Sequence, residues 1–457
     1  MSKLDYISFL PVWVQNVFVS LEGWRIQKTR YDKTFWKILK DMEERLTWDE
    51  STILDFRNAM LQRTIRHAYE TVPYYQKKFK DLNLTPEDIK TPGDLHKLPI
   101  IDRTVLNWHW AEFNSTAIPK RRRRHLRSGG TTGQPLVNVL TSEDVQRWYA
   151  TWWRYRKRNG IDFNTLCGLW AQTPIVPPTQ KKPPYWRMNY PGRELRLSTS
   201  HLNHKTYKDY LSELDRRQVP WIHGHPNLVG LLASFMNQDG ESISCVRWIT
   251  TGAENLMDHQ KENIRRAFGV EPLQHYGNSE QIANFSQCPK GSLHVDEDFS
   301  FVEFVERPGQ QNQYTVVGTS LWNLARPLIR YNIGDIVTLS DQRCTCGAWG
   351  RIVKSIDGRG DDVIICADNT QVTGFNWVLS TSRNISAAQI YQQKPGEITL
   401  RIVKKADFGP KDEQQLLQAF KNRIDEKQLR IQMTYVEEIE RTARGKHRMV
   451  VSEIQPT

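Results

Sequence analysis

The sequence predicts a multi-domain α/β protein, with a large N-terminal domain of mixed sheets and helices and a small α+β domain at the C-terminal end. Its 457 residues are too many for one simple core. From about residue 165 to 340, short apolar runs alternate with helical stretches, which favours an α/β domain. After "DGRGDD" at 357–362 the pattern changes to strand, helix and strand, which indicates a separate small unit.

Helical periodicity dominates the first part of the chain. Residues 25–80 are predicted to be helical because apolar side chains recur three and four positions apart, and Pro73 is expected to close this segment. Asp102 is the expected N-cap of the next helix. A longer helix is predicted to begin at Ser142 as its N-cap and to stop at Gly160.

The remaining elements follow from short sequence patterns. Strands are predicted at "LCGLWA", "VPWIHG", "CVRWITTG", "EPLQHYG" and "YTVVGTSL", and helices at "YKDYLSELDRR", "NLVGLLASFMN" and "MDHQKENIRRAFG". The small unit combines strands in "EITLRIVKK" and "IQMTYVEEIE" with a helix in "KDEQQLLQAFKNRID". The predicted division is a helical N-terminal extension at 1–65, the large domain at 66–357 and the small domain at 358–457.

Composition narrows the class of partner. Hydrophobic residues make up 39% and charged residues 25%, which is ordinary for a globular protein. A formal charge of +12 favours an anionic partner such as a nucleotide, a coenzyme or a lipid headgroup. The chain has no nucleic-acid-type zinc-finger framework, RNP motif or heptad-linked basic region, so a specific nucleic-acid partner is not expected.

The N-terminal stretch "MSKLDYISFLPVWVQNVFVSLEGW" is rich in apolar and aromatic residues. Asp5, Pro11, Gln15 and Glu22 interrupt it, so no run reaches the roughly 20 apolar residues of a membrane span. It also lacks the pattern of a signal peptide. The favoured interpretation is a helix packed on the body of the protein, and the alternative is a helix resting on a membrane. The expected location is the cytoplasm, with peripheral attachment at the inner membrane face as the alternative.

The phrase "SGGTTGQP" at 128–135 is typical of a phosphate-binding loop. Glycines let backbone N–H groups converge on phosphate oxygens, and the hydroxyl side chains add further donors. No Gly-Lys-Ser/Thr sequence follows, so it is not a Walker A loop. The run "KRRRRHLR" directly before it either raises the local positive potential for an anion or forms a solvated turn.

Further polar motifs follow in a fixed order. In "QHYGNSEQ", Tyr276 can stack on a base and Glu280 can hold a divalent cation. In "RYNIGD", Asp335 suits the two hydroxyl donors of a ribose. Near the C-terminal end, Lys446 lies in "RTARGKHRMV".

The order of these motifs resembles that of the adenylate-forming enzymes. The phrases "TVPYY", "LPIIDR", "SGGTTGQP", "ITTGAENL", "LIRYNIGD" and "CTCG" resemble the phenylacetate–CoA ligase family, which includes capsule-biosynthesis members. The resemblance covers roughly residues 65–450. It implies an ATP-dependent ligase that forms an acyl-adenylate, releases pyrophosphate and passes the acyl group to coenzyme A. The alternative acceptor is an amine, as in amidation of a uronic acid for a capsular or cell-surface polysaccharide.

The resemblance also implies roles for individual residues. The implied ATP/AMP site comprises Ser128, Gly129, Gly130, Thr131, Thr132, Gly133, Gly252, Ala253, Glu254, Tyr276, Gly277, Asn278, Ser279, Asp335 and Arg359. Lys446, Glu280 and Arg359 would be catalytic, with Glu280 binding Mg²⁺. Asp361 and Asp362 would form the hinge about which a mobile small domain rotates. A non-catalytic nucleotide-binding scaffold is the alternative of another class, and the joint presence of these residues argues against it.

Two further sets of residues have a functional and a plain structural interpretation. An acyl pocket is predicted, because flat side chains would suit the ring of an aryl or sugar acid. Its predicted residues are Trp148, Tyr149, Trp152, His223 and His225. The alternative is that these side chains only pack in the core. Thiolates and imidazole are the preferred ligands of zinc, so a structural zinc site is predicted at Cys288, His294, Cys344 and Cys346. The alternative is four unrelated residues.

Overall fold

A computed structural model of the chain describes residues 9–127, 136–170, 175–177, 180–307, 312–359, 364–368, 371–372, 384–421, 424, 426–440 and 448–454. In this part of the chain, a twelve-stranded sheet accounts for most of the strands, and a four-stranded sheet lies near the C-terminal end. The predicted α/β class, with a large mixed sheet and a smaller sheet, is therefore confirmed. The domain boundaries at 65/66 and 357/358 stay predictions.

Ten α-helices lie in the described residues. They are α1 (Val12–Arg30), α2 (Lys33–Arg45), α3 (Glu50–Thr71), α4 (Pro73–Asp81), α5 (Arg103–Trp108), α6 (Ser142–Arg158), α7 (Tyr207–Arg216), α8 (Pro226–Asp239), α9 (Asp258–Phe268) and α10 (Pro410–Lys421). None of these helices is both long enough and apolar enough to span a bilayer.

The strands of the described residues form four sheets. They are β1 (Arg124–Arg127), β2 (Val137–Leu140), β3 (Cys167–Trp170), β4 (Trp186–Asn189), β5 (Glu194–Leu197), β6 (Trp221–Gly224), β7 (Trp248–Thr251), β8 (Leu273–Gly277), β9 (Asn284–Gln287), β10 (Leu293–Val295), β11 (Ser300–Glu306), β12 (Gln313–Ser320), β13 (Tyr331–Ser340), β14 (Ile352–Arg359), β15 (Ile364–Ile365), β16 (Gln371–Val372), β17 (Ile385–Lys394), β18 (Glu397–Lys404), β19 (Arg430–Tyr435) and β20 (Val450–Ser452).

The large sheet changes character at β8. Its order is β11-β12-β13-β14-β10-β9-β8-β7-β6-β3-β5-β4. Strands β5, β3, β6, β7 and β8 are parallel, with α7, α8 and α9 in the connections, whereas the strands from β9 to β14 pair antiparallel. Helical crossovers cover a parallel sheet, and the fully buried side chains of Ile222, Val229 and Ile249 lie in the core between them.

Two predicted helix boundaries need correction. The N-cap of α6 is Thr141, not Ser142. Its hydroxyl accepts a hydrogen bond from the Asp144 N–H (3.2 Å), and the Asp144 carboxylate accepts one from the Thr141 N–H (2.7 Å). Pro73 also begins α4 instead of only ending the segment before it, because a proline has no N–H to leave unpaired in a first turn. Asp102 caps α5 as predicted, accepting from the Val105 N–H at 2.9 Å.

Helix α1 contacts the body of the protein through polar side chains. Strand β4 lies at the edge of the large sheet. The Met188 N–H donates to Asn16 Oδ1 (2.9 Å), and Ser20 Oγ donates to the Met188 carbonyl (3.3 Å). Gly23 permits this approach, because a Cβ there would lie 1.9 Å from the Asn189 amide oxygen. The expected packing of the N-terminal helix on the body is therefore present, but its polar face makes the contact.

A buried cluster of ions ties several elements of the large domain together. The acidic side chains at 296–298 lie between β10 and β11 and are all buried. Arg154 of α6 donates to Asp296 (2.7 Å) and to Asp298 (2.8 Å), and Arg45 of α2 also donates to Asp298 (2.8 Å). Burial raises the pKa of Asp298, but the two guanidinium groups outweigh burial and leave its pKa below the ordinary value.

The small C-terminal sheet has its own core. Its order is β19-β18-β17-β20, with an antiparallel pair at the centre and a parallel strand at each edge. Helix α10 adds Leu416 and Phe420, which are buried with Ile390 and Leu400 of the sheet. This arrangement is the predicted α+β unit.

The ion cluster predicts a large loss of stability when one carboxylate is removed. Asp298→Ala leaves two buried guanidinium groups without this partner, which costs about 3–5 kcal/mol of the free energy of unfolding. Urea unfolding followed by circular dichroism measures this loss. Glu22→Ala is the matched control, since Glu22 pairs with Arg25 at an exposed position, and it should leave the midpoint unchanged. Equal midpoints for Asp298→Ala and the wild type would contradict this role for the cluster.

Candidate active site

Three predicted groups of site residues lie at one edge of the parallel strands. His223 is near the end of β6 and His225 follows it, while Gly252 begins the segment directly after β7. Tyr276 and Gly277 end β8. The carboxyl ends of neighbouring parallel strands lie side by side, and ligands of open α/β sheets bind there. The fold therefore brings these segments together.

Strand β8 is more open than its position in the sheet suggests. It lies between β7 and β9 in the middle of the large sheet, yet each of its five residues is only half-buried. By contrast, β7 has three buried residues out of four. An interior strand that stays accessible along its length indicates a cleft, and the change from parallel to antiparallel pairing occurs at the same place.

Tyr276 and Asp335 lie together in this cleft. The Tyr276 hydroxyl donates to the Asp335 carboxylate at 2.5 Å, and the Tyr276 ring stacks on Phe285 with centroids 4.5 Å apart. Both site residues are half-buried. Along β13 and β14, Asp335 pairs with Arg359. The residues predicted for the base and the ribose are thus adjacent, although they are far apart in sequence.

The segment after β7 has an unusual backbone. Ala253 has a positive φ of 66°, a conformation that costs a non-glycine residue free energy and is concentrated at functional sites. The next residue is Glu254, and one of its carboxylate oxygens lies 3.1 Å from His225 Nδ1, within hydrogen-bond distance. This contact joins the segments that follow β6 and β7.

The loop after β8 is fixed by Asn278. The Asn278 side chain accepts from the Ile282 N–H (3.1 Å) and donates to the Ala283 carbonyl (3.3 Å). Ser279 Oγ donates to Glu280 Oε2 at 3.2 Å, and the Glu280 side chain is half-buried. Carboxylate and hydroxyl oxygens are the hard ligands that Mg²⁺ prefers, so this donor set fits the predicted metal.

Aromatic side chains of α6 lie beside the same strand. The Trp148 and Trp152 rings are 4.8 Å apart, and Trp152 is 5.3 Å from the His275 ring. The Trp148 indole nitrogen lies 3.8 Å from where a Cβ on Gly277 would be. Within the described residues, neither indole N–H has a hydrogen-bond acceptor, although both nitrogens are buried. The Trp153 and Trp170 indole nitrogens are in the same situation, but Trp148 and Trp152 lie beside β8, where a ligand with an acceptor would pair them.

The other predicted pocket residues have structural partners. Tyr149 contacts Trp152 (5.0 Å), but Arg30 of α1 also lies over its ring at 3.8 Å. His223 Nδ1 bonds the Thr250 hydroxyl at 2.8 Å. The fold thus brings Tyr149 and Trp152 together, and it also ties Tyr149 to the N-terminal helix.

His275 is a site residue that the sequence patterns missed. It alternates with Tyr276 on β8, so it points to the opposite face of the strand, and its Nε2–H donates to Asn284 Oδ1 at 2.9 Å. Burial lowers the pKa of His275 to about 3, helped by the nearby Arg156 guanidinium. Burial also holds the pKa of His223 well below its ordinary value. The period of two along the predicted strand was the signal that could have identified His275.

Several predicted residues lie outside the described part of the chain. They are Ser128, Gly129, Gly130, Thr131, Thr132, Gly133, Asp361, Asp362 and Lys446. The strands that flank the phosphate loop are described, and Arg127 of β1 pairs with Val137 of β2. The buried Arg326 donates to the Val137 carbonyl (2.9 Å) and to the Trp110 carbonyl (2.8 Å). Arg326 therefore holds the base of the loop.

Comparison with known proteins finds relatives that match most of this chain. Protein CapK of Staphylococcus aureus is 25% identical over 384 residues, which cover 83% of this chain and 82% of that protein. Phenylacetate–coenzyme A ligase of Aromatoleum evansii is 34% identical over 335 residues, which cover 70% of this chain and 73% of that enzyme. The chain belongs to the phenylacetate–coenzyme A ligase family. The resemblance in the sequence motifs is thereby confirmed.

Two further comparisons concern the small domain and the fold. A family model described as the CapK C-terminal domain matches residues 369–453. A crystal structure of 2-hydroxyisobutyryl-CoA ligase in the postadenylation state, in complex with R3-HIB-AMP, aligns with a TM-score of 0.67 and 16% identity. The alignment covers 88% of this chain and 89% of that one. It shows that the two chains share a fold.

The four residues predicted to bind zinc in this protein lie close together. The ligand atoms of Cys288, His294, Cys344 and Cys346 all lie within 4.8 Å of one another. The Cys288 and Cys344 sulfurs are 3.6 Å apart, which is too far for a disulfide and close to the separation of two thiolates on one tetrahedral zinc. The fold thus brings together residues from β10 and two loops. A single metal site requires this proximity.

The surroundings of this cluster also suit a metal. His294 Nδ1–H donates to the Trp349 carbonyl at 3.1 Å, which leaves the Nε2 lone pair directed at Cys346 Sγ, 3.3 Å away. A hydrogen bond of this kind fixes the tautomer of a metal-binding histidine. Arg158 of α6 also donates to Cys346 Sγ at 3.0 Å.

Two half-buried histidines with lowered pKa values, His223 and His275, predict how stability depends on pH. A histidine with a lowered pKa binds a proton in the unfolded chain first, so stability falls as pH drops below about 6.5 toward 3. The loss is about 1.4 kcal/mol per pH unit for each such histidine. His275→Gln should therefore reduce the slope of urea-unfolding free energy against pH. The exposed His96 provides the control substitution His96→Gln. An unchanged slope in His275→Gln would contradict the role of His275.

Proposed function

We propose that the chain is an AMP-forming carboxylate ligase that uses the cleft beside β8. The observation that carries this proposal is the hydrogen bond between Tyr276 and Asp335 at the carboxyl end of that strand. In this proposal, the Tyr276 ring would offer a face to adenine, and the adjacent Asp335 carboxylate would accept from the ribose hydroxyls. Glu280, on the next loop, is the proposed Mg²⁺ ligand.

In the proposed reaction, a carboxylate oxygen attacks the α-phosphorus of ATP, which forms an acyl-adenylate and releases pyrophosphate. A bound Mg²⁺ would supply positive charge to the phosphates. Within the chain, backbone N–H groups of the 128–133 loop would bind phosphate, and Arg359 and Lys446 would offset the negative charge that develops. The acceptor then attacks the acyl carbon, and AMP leaves.

The two indole donors have no acceptor among the described residues, and this favours an acid with acceptor oxygens beside a flat ring. Trp148 and Trp152 offer two N–H groups at the side of β8, within an otherwise aromatic surface. A plain hydrocarbon chain would leave both donors buried and unpaired, which is costly. A hydroxylated ring, such as that of a uronic acid, or an oxygen-bearing aryl acid would satisfy them.

Two acceptors fit the proposal. The first is coenzyme A, which appears in the name of the related phenylacetate–coenzyme A ligases. An amine acceptor, with amidation of a uronic acid in polysaccharide synthesis, is the second candidate. The match of the small domain to the CapK model and the two indole donors favour it.

A zinc ion with a structural role is part of the same proposal. The four ligands link the β9–β10 turn, β10 and the 344–347 loop, which connects β13 to β14. The cluster lies within the antiparallel half of the sheet that carries Asp335. Closed four-ligand sites stabilise folds and leave no coordination position for a substrate.

Adenylation predicts a strong dependence on Lys446. Lys446→Ala should lower pyrophosphate release by on the order of 10²–10³-fold, because one group that stabilises the transition state is lost. Pyrophosphate release is measured across aryl, fatty, amino and uronic acids. Lys394→Ala is the matched control, since Lys394 is exposed on β17 of the same small domain, and it should behave as the wild type.

The acceptor is identified in the same assay. Each acid that releases pyrophosphate is tested with coenzyme A and with ammonia or a simple amine. Turnover only with the amine would replace the coenzyme A hypothesis. ATP binding without pyrophosphate release from any acid, in wild type and variant alike, would favour the non-catalytic scaffold. Equal rates for Lys446→Ala and the wild type would refute the proposed role of the lysine.

The zinc proposal predicts a measurable metal content. Protein purified without chelator should contain about one zinc per chain, and Cys288→Ser should lose most of it because a closed site needs all four ligands. Elemental analysis gives the ratio. Cys245→Ser is the control, since Cys245 is another free cysteine outside the cluster. Wild-type protein without zinc would refute the site.

A further inference from the structure

Helix α1 presents an apolar face to solvent. Its large exposed side chains are Trp13, Val17, Phe18, Leu21 and Trp24, with exposed fractions between 47% and 70%. At 3.6 residues per turn, these positions fall on one side of the helix. Contiguous apolar surface of this kind marks an interaction site, whereas single exposed apolar side chains are ordinary.

The opposite face explains why the apolar side chains point outward. Strand β4 ends the large sheet, and an edge strand has backbone groups that need partners. Asn16 accepts a hydrogen bond from the Met188 N–H, and Ser20 donates one to the Met188 carbonyl. Ser20 Oγ also accepts from the Tyr190 N–H at 3.2 Å. The polar side of α1 therefore contacts the sheet edge. Because this contact fixes the rotation of the helix, its apolar side faces outward.

The residues around this face favour an anionic lipid surface. Tryptophans lie near both ends of the exposed stripe, and the Lys28 ammonium lies 4.0 Å above the Trp24 ring. Between residues 9 and 40 the chain has six basic and two acidic side chains, and it carries a net charge of +12 overall. Tryptophan beside lysine is typical of helices that lie in the boundary between headgroups and acyl chains.

Tyr190 extends the same surface. It follows β4 directly, its side chain is 61% exposed, and its backbone is bonded to α1. Arg25 lies on the outward side near Trp24 and pairs with Glu22, so Lys28 provides the net positive charge beside the stripe. The basic end of the stripe would contact headgroups while the apolar side chains enter the boundary.

We propose that the outward face of α1 binds the surface of an anionic membrane, with Trp13, Leu21 and Trp24 in the interfacial layer. The helix lies in the plane of the membrane and does not cross it. This property is independent of the acid and the acceptor, because it requires only residues that are remote in sequence from the cleft motifs.

The test is flotation of the full chain with vesicles of phosphatidylcholine alone and with vesicles that contain phosphatidylglycerol. The wild type should bind the anionic vesicles and bind the neutral ones weakly. Leu21→Glu places a charge in the middle of the stripe and should reduce binding by at least about tenfold. Lys28→Glu should weaken binding to anionic vesicles only.

Trp108→Glu is the matched control. Trp108 is 79% exposed at the end of α5, so the substitution adds the same charge at an exposed aromatic position elsewhere. It should leave vesicle binding unchanged, and unfolding midpoints equal to the wild type show that the variants fold. Failure of the wild type to float, or full binding by Leu21→Glu, overturns the proposal. A dimer in light scattering that Leu21→Glu converts to a monomer also overturns it, because a second copy would then cover the face.

Discussion

The buried ion cluster at 296–298 constrains the rest of the large domain. Four arginines from separate elements end there: Arg45, Arg57, Arg154 and Arg351. A buried carboxylate is tolerated only with such partners, so α2, α3, α6 and the residue directly before β14 are each fixed in position relative to the β10–β11 connection. The N-terminal helices and the antiparallel half of the sheet are therefore joined by charge as well as by apolar packing.

The same constraint orients the candidate active site. On α6, Arg154 lies on the side of the helix opposite to Trp148 and Trp152, since 3.6 residues make one turn. An Arg154 fixed in the ion cluster thus directs the two indoles toward β8. Arg158, one turn further on, contacts Cys346 of the cysteine–histidine cluster. One helix therefore connects the ion cluster, the proposed zinc site and the proposed acyl pocket.

Sequence patterns predicted those elements and motifs that are formed by residues close together in the sequence. Strands β6, β7 and β8 and the motifs at their ends were predicted because each is a short contiguous phrase. The four residues of the proposed zinc site were identified by residue type. The contact between Arg154 and Asp298 joins positions 144 residues apart, and no local pattern reports it. His275 was missed because its role depends on its position beside Arg156, which lies far away in sequence. Thr141 was missed as a cap because Ser142 is chemically as suitable, and only the backbone distinguishes them.

The outward face of α1 shows how a requirement at one place in the fold determines the surface at another. Periodicity alone predicts that a helix turns its apolar side inward. Here the body offers α1 the edge of a sheet, with backbone groups that need hydrogen bonds, and the polar side chains Asn16 and Ser20 gain more there than apolar ones would. The apolar side is then left for another surface. Protection of the edge strand and the proposed membrane contact are thus two consequences of one packing choice.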